Sequence, residues 1–344
     1  MAELAIIADD LTGALDSAAP FAMRGITTAV ALSTESLPQA LASGARVVGV
    51  STGSREIPAD TAREAVRAAV AAIPPGTPLF KKVDSRLKGN IAAELDAIPH
   101  GRSLVIPAIP AFGRWMRDGR LGGFGVDNPI DIADRLGPHA FRAMIPDIET
   151  QADVEAALAL PHDLPIGARG LAEAKAGQMA PGALPPDTTL TNRRALVVIG
   201  STDAITLAQL ERLRAYAPGI AFIAAPNGIG PANARLSAPL TVIQAAPGAT
   251  RVDGTEVTAA LADAVAGLAP PPDTLLVLSG GATAQAILQR LGIGVLQVVG
   301  EAMPGLPVAN GGGLTFVTKS GGFGGEDTLQ RLLTSFHAHQ ERIV

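Results

Sequence analysis

The chain has 344 residues and no cysteine, one tryptophan, one tyrosine and nine phenylalanines. Without cysteine there is no disulfide framework, no thiolate nucleophile and no thiolate-rich zinc or iron–sulfur site. An excess of positive charge is also missing. The 27 lysines and arginines stand against 32 aspartates and glutamates, for a net charge of −5 and no basic run, so the electrostatic footprint of a nucleic-acid binder is absent. No apolar stretch reaches the roughly 18 residues of a membrane span. The first residues meet Glu3 and Asp9-Asp10 with no basic leader. A cytoplasmic protein with neither a membrane nor a nucleic-acid partner is expected. An anionic small molecule stays open, because local lysines and arginines decide that.

What the chain has in quantity is small and apolar residues: 47% hydrophobic content and 38 glycines, with aromatics at 3%. That composition suits helices packed tightly on sheets, and its length suits two cores, since single cores stop growing near roughly 250 to 300 residues. β-type runs at Leu4–Ala8, Thr28–Leu32, Val47–Val50, Leu79–Lys82 and Ser103–Pro107 alternate with helical segments such as Ala59–Ala72 and Asn90–Ala97. The second half repeats the habit at Ala195–Ile199, Ile220–Ala224, Leu240–Gln244, Thr274–Leu278, Val295–Val299 and Leu314–Thr318, with helices at Thr206–Tyr216, Thr255–Leu268 and Thr283–Leu291. Alternation of this kind reads as α/β, with mainly parallel sheets flanked by helices. The proline- and glycine-bearing stretch Gly177–Asp187 suits a linker. Two domains follow, residues 1–180 and 188–344, with a ligand cleft expected between them. Pro270-Pro271-Pro272 ends a helix inside the second.

Three polar clusters interrupt this pattern. The first run discharges into Asp9-Asp10-Leu11-Thr12-Gly13-Ala14, at the carboxyl edge of a sheet, where open α/β folds bind ligands. Carboxylates there can orient a hydroxyl, accept its proton or hold a magnesium ion, although Asp10 or Thr12 could equally cap the next helix. The second cluster, Lys81-Lys82-Val83-Asp84-Ser85-Arg86-Leu87-Lys88-Gly89-Asn90, sets ammonium groups and a guanidinium beside a helix start. That suits a carboxylate or a phosphate; a Lys–Asp surface pair is the plainer account. Arg114, on a loop stiffened by Pro107 and Pro110, and Arg55 with Thr52 and Ser54 are further anion ligands, unless solvated. The third cluster is Lys319-Ser320-Gly321-Gly322-Phe323-Gly324-Gly325. With Gly200-Ser201-Thr202-Asp203 and Ser279-Gly280-Gly281-Ala282-Thr283 it supplies glycine turns at helix starts, which bind phosphate through backbone amides. Neither the Walker nor the Rossmann fingerprint is present. The five histidines, His100, His139, His162, His337 and His339, show no nucleophile motif and are expected on the surface.

Together these motifs resemble the four-carbon acid sugar kinase family, formerly a domain of unknown function. The resemblance runs over nearly the whole chain: Ala8–Ala14, Lys81–Ala97, Pro107–Arg114, Gly167–Ala172, Gly200-Ser201, Ser279–Ala284 and Lys319–Gly325. It implies ATP-dependent phosphorylation of the terminal hydroxyl of threonate, erythronate or an oxo-tetronate, with Mg²⁺ as the companion ion and no metal ligand identified. It implies catalytic roles for Asp10, Asp84 and Lys82, with Asp10 and Asp84 both open as the base. Asp9, Thr12, Arg55, Ser85, Asn90 and Arg114 would hold the acid sugar, and Ser201, Gly280, Gly281, Ala282, Thr283 and Gly321 the ATP. Small apolar surfaces and the family point to a homodimer.

Three departures stand out. Ala282 occupies a position that is often acidic, Arg86 and Lys88 replace a usual threonine and arginine, and the loops around Pro226–Ala249 are short. Ala282 and the short loops motivate an alternative, a sugar-acid sensor that has lost ATP chemistry, while Arg86 and Lys88 bear on which acid fits. A dehydrogenase lacks its dinucleotide fingerprint here, and a class II aldolase its metal-ligand histidines.

Overall fold

The structure is a computed structural model and describes residues 2–217 and 219–340. The chain divides into two compact units, Met1–Pro186 and Asp187–Val344. Among the described residues no helix is long and apolar enough to cross a membrane.

The first unit is built on β1 (Leu4–Ala8), β2 (Thr28–Ala31), β3 (Val47–Ser51), β4 (Leu79–Lys82) and β5 (Ser103–Ile106). A small antiparallel sheet follows, β6 (Arg114–Arg117), β7 (Arg120–Gly123) and β8 (Ile130–Asp131), then β9 (Ala143–Met144) and β10 (Leu164–Gly167). The main sheet runs β2-β3-β1-β4-β10-β5-β9, every pair parallel. All five side chains of β1 are buried, as a strand covered on both faces requires. Its helices are α1 (Leu11–Ala22), α2 (Leu37–Ala42), α3 (Ala59–Ala72), α4 (Ile91–Leu95), α5 (Ile132–Leu136), α6 (Gln151–Leu158) and α7 (Arg169–Met179). Helix α3 buries Ala62, Val66 and Ala69, a stripe at helical spacing. Helix α1 packs on α7 and α7 on α6, while α3 packs on α4 and α2.

The second unit comprises β11 (Arg194–Ile199), β12 (Ala221–Pro226), β13 (Leu240–Ala246), β14 (Thr274–Ser279), β15 (Val295–Met303), β16 (Leu306–Gly311) and β17 (Leu314–Lys319). Its helices are α8 (Ala204–Tyr216), α9 (Gly254–Gly267), α10 (Gly281–Arg290) and α11 (Thr328–Gln340). Its order is β12-β13-β11-β14-β17-β16-β15. The first five strands are parallel and β15, β16 and β17 form an antiparallel meander. Val197, Ile199, Val277, Val317 and Phe336 sit in one buried cluster.

Both units share a topological feature that locates a site. In each the first strand lies between the third and the fourth, β3-β1-β4 and β13-β11-β14. Chain order therefore reverses between β1 and β4, and again between β11 and β14. Ligands of open parallel sheets bind outside the carboxyl ends of the strands at such reversals.

One expectation fails in the fold. His139 is buried, not on the surface. Its Nδ1 accepts from Arg142 at 2.6 Å and its Nε2 faces Asp96 at 3.0 Å. Because an arginine can only donate, Nδ1 is the acceptor and Nε2 carries the proton. The side chains of His337 and His339 lie outside the described residues.

Candidate active site

Strand β1 ends at Ala8, and Asp9 and Asp10 follow at the first reversal. Asp10 caps α1, accepting from the Gly13 N–H at 2.8 Å, and Thr12 Oγ1 donates to its other oxygen at 2.7 Å. The capping reading is thus met. Arg55, on the loop after β3, grips Asp9 with two prongs, Nε to Oδ2 at 2.8 Å and NH2 to Oδ1 at 2.9 Å. Its NH1 donates to Asp10 Oδ2 at 2.8 Å and lies 3.8 Å from Asp84 Oδ2. One guanidinium therefore gathers three carboxylates. Burial pushes the Asp9 carboxyl up, but the Arg55 fork, with charge from Lys81 and Lys82, holds it below the usual carboxylate range. The same carboxylates raise Arg55 despite its own burial.

Lys82 closes β4 and is 3% exposed. Its Nζ donates to Val83 O at 2.7 Å; among the described residues it has no other hydrogen-bond partner and no carboxylate within 4.0 Å. The ammonium sits beside α1: a Cβ on Gly13 would lie 3.0 Å from Lys82 Nζ and 2.6 Å from Asp10 Oδ1. Asp84 Oδ1 accepts from the N–H groups of Arg86 and Lys88 at 2.9 and 3.3 Å, which leaves Oδ2 toward Arg55. Within this turn Leu87 and Gly89 take left-handed φ of 54° and 93°. A Cβ on Gly89 would stand 3.1 Å from Asp9 Oδ2, so glycine lets the turn lie against the carboxylate.

Arg114 opens β6 and is 9% exposed. Its NH1 donates to Ser85 Oγ at 2.7 Å, and its Nε and NH2 to Phe124 O at 3.2 and 2.7 Å. Among the described residues no carboxylate lies within 4.0 Å of it. Burial and the neighbouring Arg86 push the guanidinium down, with Asp84 opposing. Lys82 and Arg114 are thus buried cations without carboxylate partners of their own, an arrangement that favours an incoming anion.

Beneath this edge lies support that sequence reasoning did not assign. Lys81 pairs with Glu94, and Glu94 accepts from Ser54, the neighbour of Arg55. The Asn90 amide donates to Ser54 O and Ile57 O, each at 2.8 Å. It therefore pins the Arg55 loop with the protons expected to reach a ligand. Arg169, at the start of α7, pairs with Glu173 at 2.7 Å and Asp16 at 3.4 Å and lies 5.8 Å from the Phe112 ring centroid. Its signal was an arginine two residues beyond Gly167, the strand-end partner of Lys82.

In the second unit the other reversal brings together Gly200-Ser201 after β11 and Gly280 before α10. Gly280 has φ 109°, a backbone conformation closed to other residues. A Cβ there would be 3.2 Å from Thr283 Oγ1 and 3.8 Å from Ser201 Cβ. Gly321, beyond β17, approaches the same place, since its Cβ would be 2.6 Å from Ser201 Oγ. Ser201, Gly280, Thr283 and Gly321 thus converge. Gly281 begins α10, and Ala282 is exposed in its first turn. Side chains at Gly200, Gly280 and Gly321 would crowd Thr283 and Ser201, so glycine lets the three backbone turns close on those hydroxyls, an arrangement of backbone amides that suits a phosphate chain.

The model of a sugar-binding N-terminal domain matches residues 4–134, and that of a nucleotide-binding C-terminal domain matches residues 230–329. D-threonate kinase of Bordetella bronchiseptica is 31% identical, over 95% of this chain and 96% of its own. The 3-oxo-tetronate kinase of Methylobacterium radiotolerans is 28% identical over 96% and 98%. Among solved structures, a Salmonella typhimurium protein described as a putative tRNA synthase superposes with a TM-score of 0.75 at 21% identity, over 96% of this chain and 98% of its own. A Haemophilus influenzae protein does so with a TM-score of 0.71 at 21% identity, over 96% and 99%. These two are likenesses of fold.

Proposed function

The chain belongs to the four-carbon acid sugar kinase family and is an enzyme that phosphorylates a sugar acid; we propose that it moves the γ-phosphoryl group of ATP to the acid's terminal hydroxyl. The observation that carries this reading is the pair of buried cations, Lys82 and Arg114, that no protein carboxylate within 4.0 Å neutralises among the described residues. Beside them Arg55 holds Asp9, Asp10 and Asp84 in one cluster. A sugar acid carries both complements, a carboxylate for the cations and hydroxyls for the aspartates.

In this reading the first unit takes the acid. Lys82 and Arg114, with Ser85, hold its carboxylate, because charge-assisted bonds are roughly twice as strong as neutral ones. Asp10, fixed by Gly13, Thr12 and Arg55, orients the hydroxyl. Asp84 Oδ2, the carboxylate oxygen with the fewest partners, takes its proton as the new O–P bond forms and the bond to the leaving ADP oxygen breaks. Asn90 acts through Arg55. The second unit takes ATP, with Ser201, Gly280, Gly281, Ala282, Thr283 and Gly321 around the phosphates. Positioning and charge account for most of such a transfer.

Mg²⁺ would enter this scheme as an ion carried mainly by the phosphates. It would offset phosphate charge. A homodimer is part of the proposal, checked by light scattering. The deciding experiment is a coupled ADP-release assay across threonate, erythronate and oxo-tetronate stereoisomers. Turnover with at least one is expected, and none above background with any would overturn the reading.

A further inference from the structure

Residues Ser320–Gly325 leave β17 as a loop with glycine at 321, 322, 324 and 325, a composition that gives the backbone little conformational preference. Yet its carbonyls are held from inside the protein. Lys319 Nζ donates to Ser320 O at 2.9 Å, to Gly321 O at 2.8 Å and to Thr206 Oγ1 at 3.2 Å. The Thr206 hydroxyl passes its own proton to Gly321 O. Gln209, one turn along α8, donates to Phe323 O at 3.0 Å and Gly325 O at 2.8 Å. Lys319, Thr206 and Gln209 are all fully buried. An ammonium has three protons, and here three acceptors meet it.

No described peptide bond in the loop is cis, and a planar trans peptide points its C=O and N–H in opposite directions. Drawing the carbonyls of Ser320, Gly321 and Phe323 inward turns the N–H groups of Gly321, Gly322 and Gly324 outward. Among the described residues these three donate to no other protein group. Outward-turned backbone N–H groups in a tight turn form a concavity for anions. It lies beside Ser201, whose Oγ would be 2.6 Å from a Cβ on Gly321, with the α8-capping carboxylate of Asp203 at its edge, 3.0 Å from a Cβ on Gly322.

We propose that Lys319, Thr206 and Gln209 are positioning residues that clasp this loop from behind, so that the N–H groups of Gly321, Gly322 and Gly324 receive a nucleotide phosphate. The inference rests on the kinase reading above. Its physical content is pre-organisation: without the clasp a four-glycine loop must be ordered by the ligand, at the expense of affinity. Lys319 thus serves phosphate binding by turning the backbone rather than by pointing its own charge at the ligand.

The test is calorimetric titration of the full chain with ATP, inorganic tripolyphosphate and threonate. Lys319→Met and Thr206→Val are each expected to weaken ATP and tripolyphosphate tenfold or more. Thr206→Ser, which keeps the hydroxyl, stays within threefold of the wild type, and threonate affinity holds throughout. If Thr206→Val binds ATP as tightly as the wild type does, the clasp is overturned, including the case in which only Lys319→Met weakens, which would make Lys319 a direct ligand. If Lys319→Met also loses threonate and so has misfolded, the Thr206→Val and Thr206→Ser pair decides. A wild type that binds threonate but neither ATP nor tripolyphosphate sinks the kinase reading and the clasp together; one that binds ATP but no acid sugar sinks the acceptor assignment and leaves the clasp to be judged on the same variants.

Discussion

Lys81 Nζ and Glu94 Oε2 meet at 2.8 Å with side chains 0% and 1% exposed, one layer below the residues assigned to the acid. Lys81 precedes Lys82 on β4, and Glu94 reaches Ser54 on the Arg55 loop, so the pair ties β4, α4 and that loop together. Breaking a buried pair from one side strands the other charge and costs about 3–5 kcal/mol. Glu94→Ala is therefore expected to lower the urea stability of the first unit by about that much. The Lys81→Met/Glu94→Leu double variant should cost clearly less than the sum of its single variants; additive losses would show that the two charges do not depend on each other.

The Arg55–Asp9 fork makes a prediction with a sign in pH. Asp9 has a folded pKa below its ordinary value. Its contribution is thus complete above the unfolded value of about 3.9 and is lost as pH falls through the folded one. In Arg55→Met the burial of Asp9 has no fork to oppose it, the folded pKa rises, and stability should instead decline as pH climbs from 4 to 7. Urea midpoints across that range read the slope, and two parallel curves would remove Arg55 as the holder of Asp9.

Much of this architecture was legible because the strands of a covered parallel sheet are unbroken apolar runs. β1 and β4 have the expected limits, and α3 spans the expected Ala59–Ala72. β10 was not read, since Leu164-Pro165-Ile166-Gly167 puts a proline and a glycine in a four-residue strand. Nor was the β6–β8 sheet, whose arginines and glycines mask alternation, or β16. At the site, chain order pointed to Asp9, Asp10, Lys82 and Asp84 because they sit at strand ends. What it could not supply were pairings across long separations, Arg55 to Asp9 over 46 residues or Lys319 to Thr206 over 113. Such partners have no local pattern. The burial of His139 was hidden for the same reason, since Asp96 lies 43 residues away.

Lys319 provides a second pH signature. Burial, opposed in part by Asp203, lowers its pKa from 10.5 to about 8. As pH rises through 8 the amine keeps two protons for three acceptors, so ATP affinity should fall. The folded state binds fewer protons than the unfolded one between pH 8 and 10.5, so stability should rise over the same range, recovering about 3 kcal/mol. ATP titrations and thermal melts in parallel would show opposite trends. Affinity that stays flat in the wild type, or that falls equally in Lys319→Met, contradicts this account.

The two open carboxylates can be separated by kinetics. Asp84→Asn keeps the side chain's shape but cannot take a proton, and general-base losses run to about 10²–10⁴ in rate. It should lower kcat by that order with little change in KM for the acid. Asp10→Asn should lower kcat strongly too, but also raise KM for the acid, because the amide puts a donor where Arg55 and Thr12 donate. Both should leave ATP binding intact. Full activity in either variant removes that residue from the site.

Arg114 should report which end of the substrate it holds. It is buried and faces Arg86, and its Ser85 and Phe124 contacts leave guanidinium protons available. A bond to a charged group is worth about 1.5–3 kcal/mol, or roughly 10- to 150-fold in affinity. Arg114→Lys keeps the charge but not the planar fork, so KM for the acid should rise by at least tenfold while KM for ATP holds. The corresponding sugar alcohol, which lacks the carboxylate, should be used equally poorly by the wild type and by Arg114→Lys. Arg86→Thr tests the second guanidinium: removing it should weaken the preference for acid over alcohol, because Arg86 would add positive potential at the proposed carboxylate site beside Arg114. If Arg114→Lys loses acid and alcohol in equal measure, the arginine supports the β6–β7 hairpin and does not read the carboxylate.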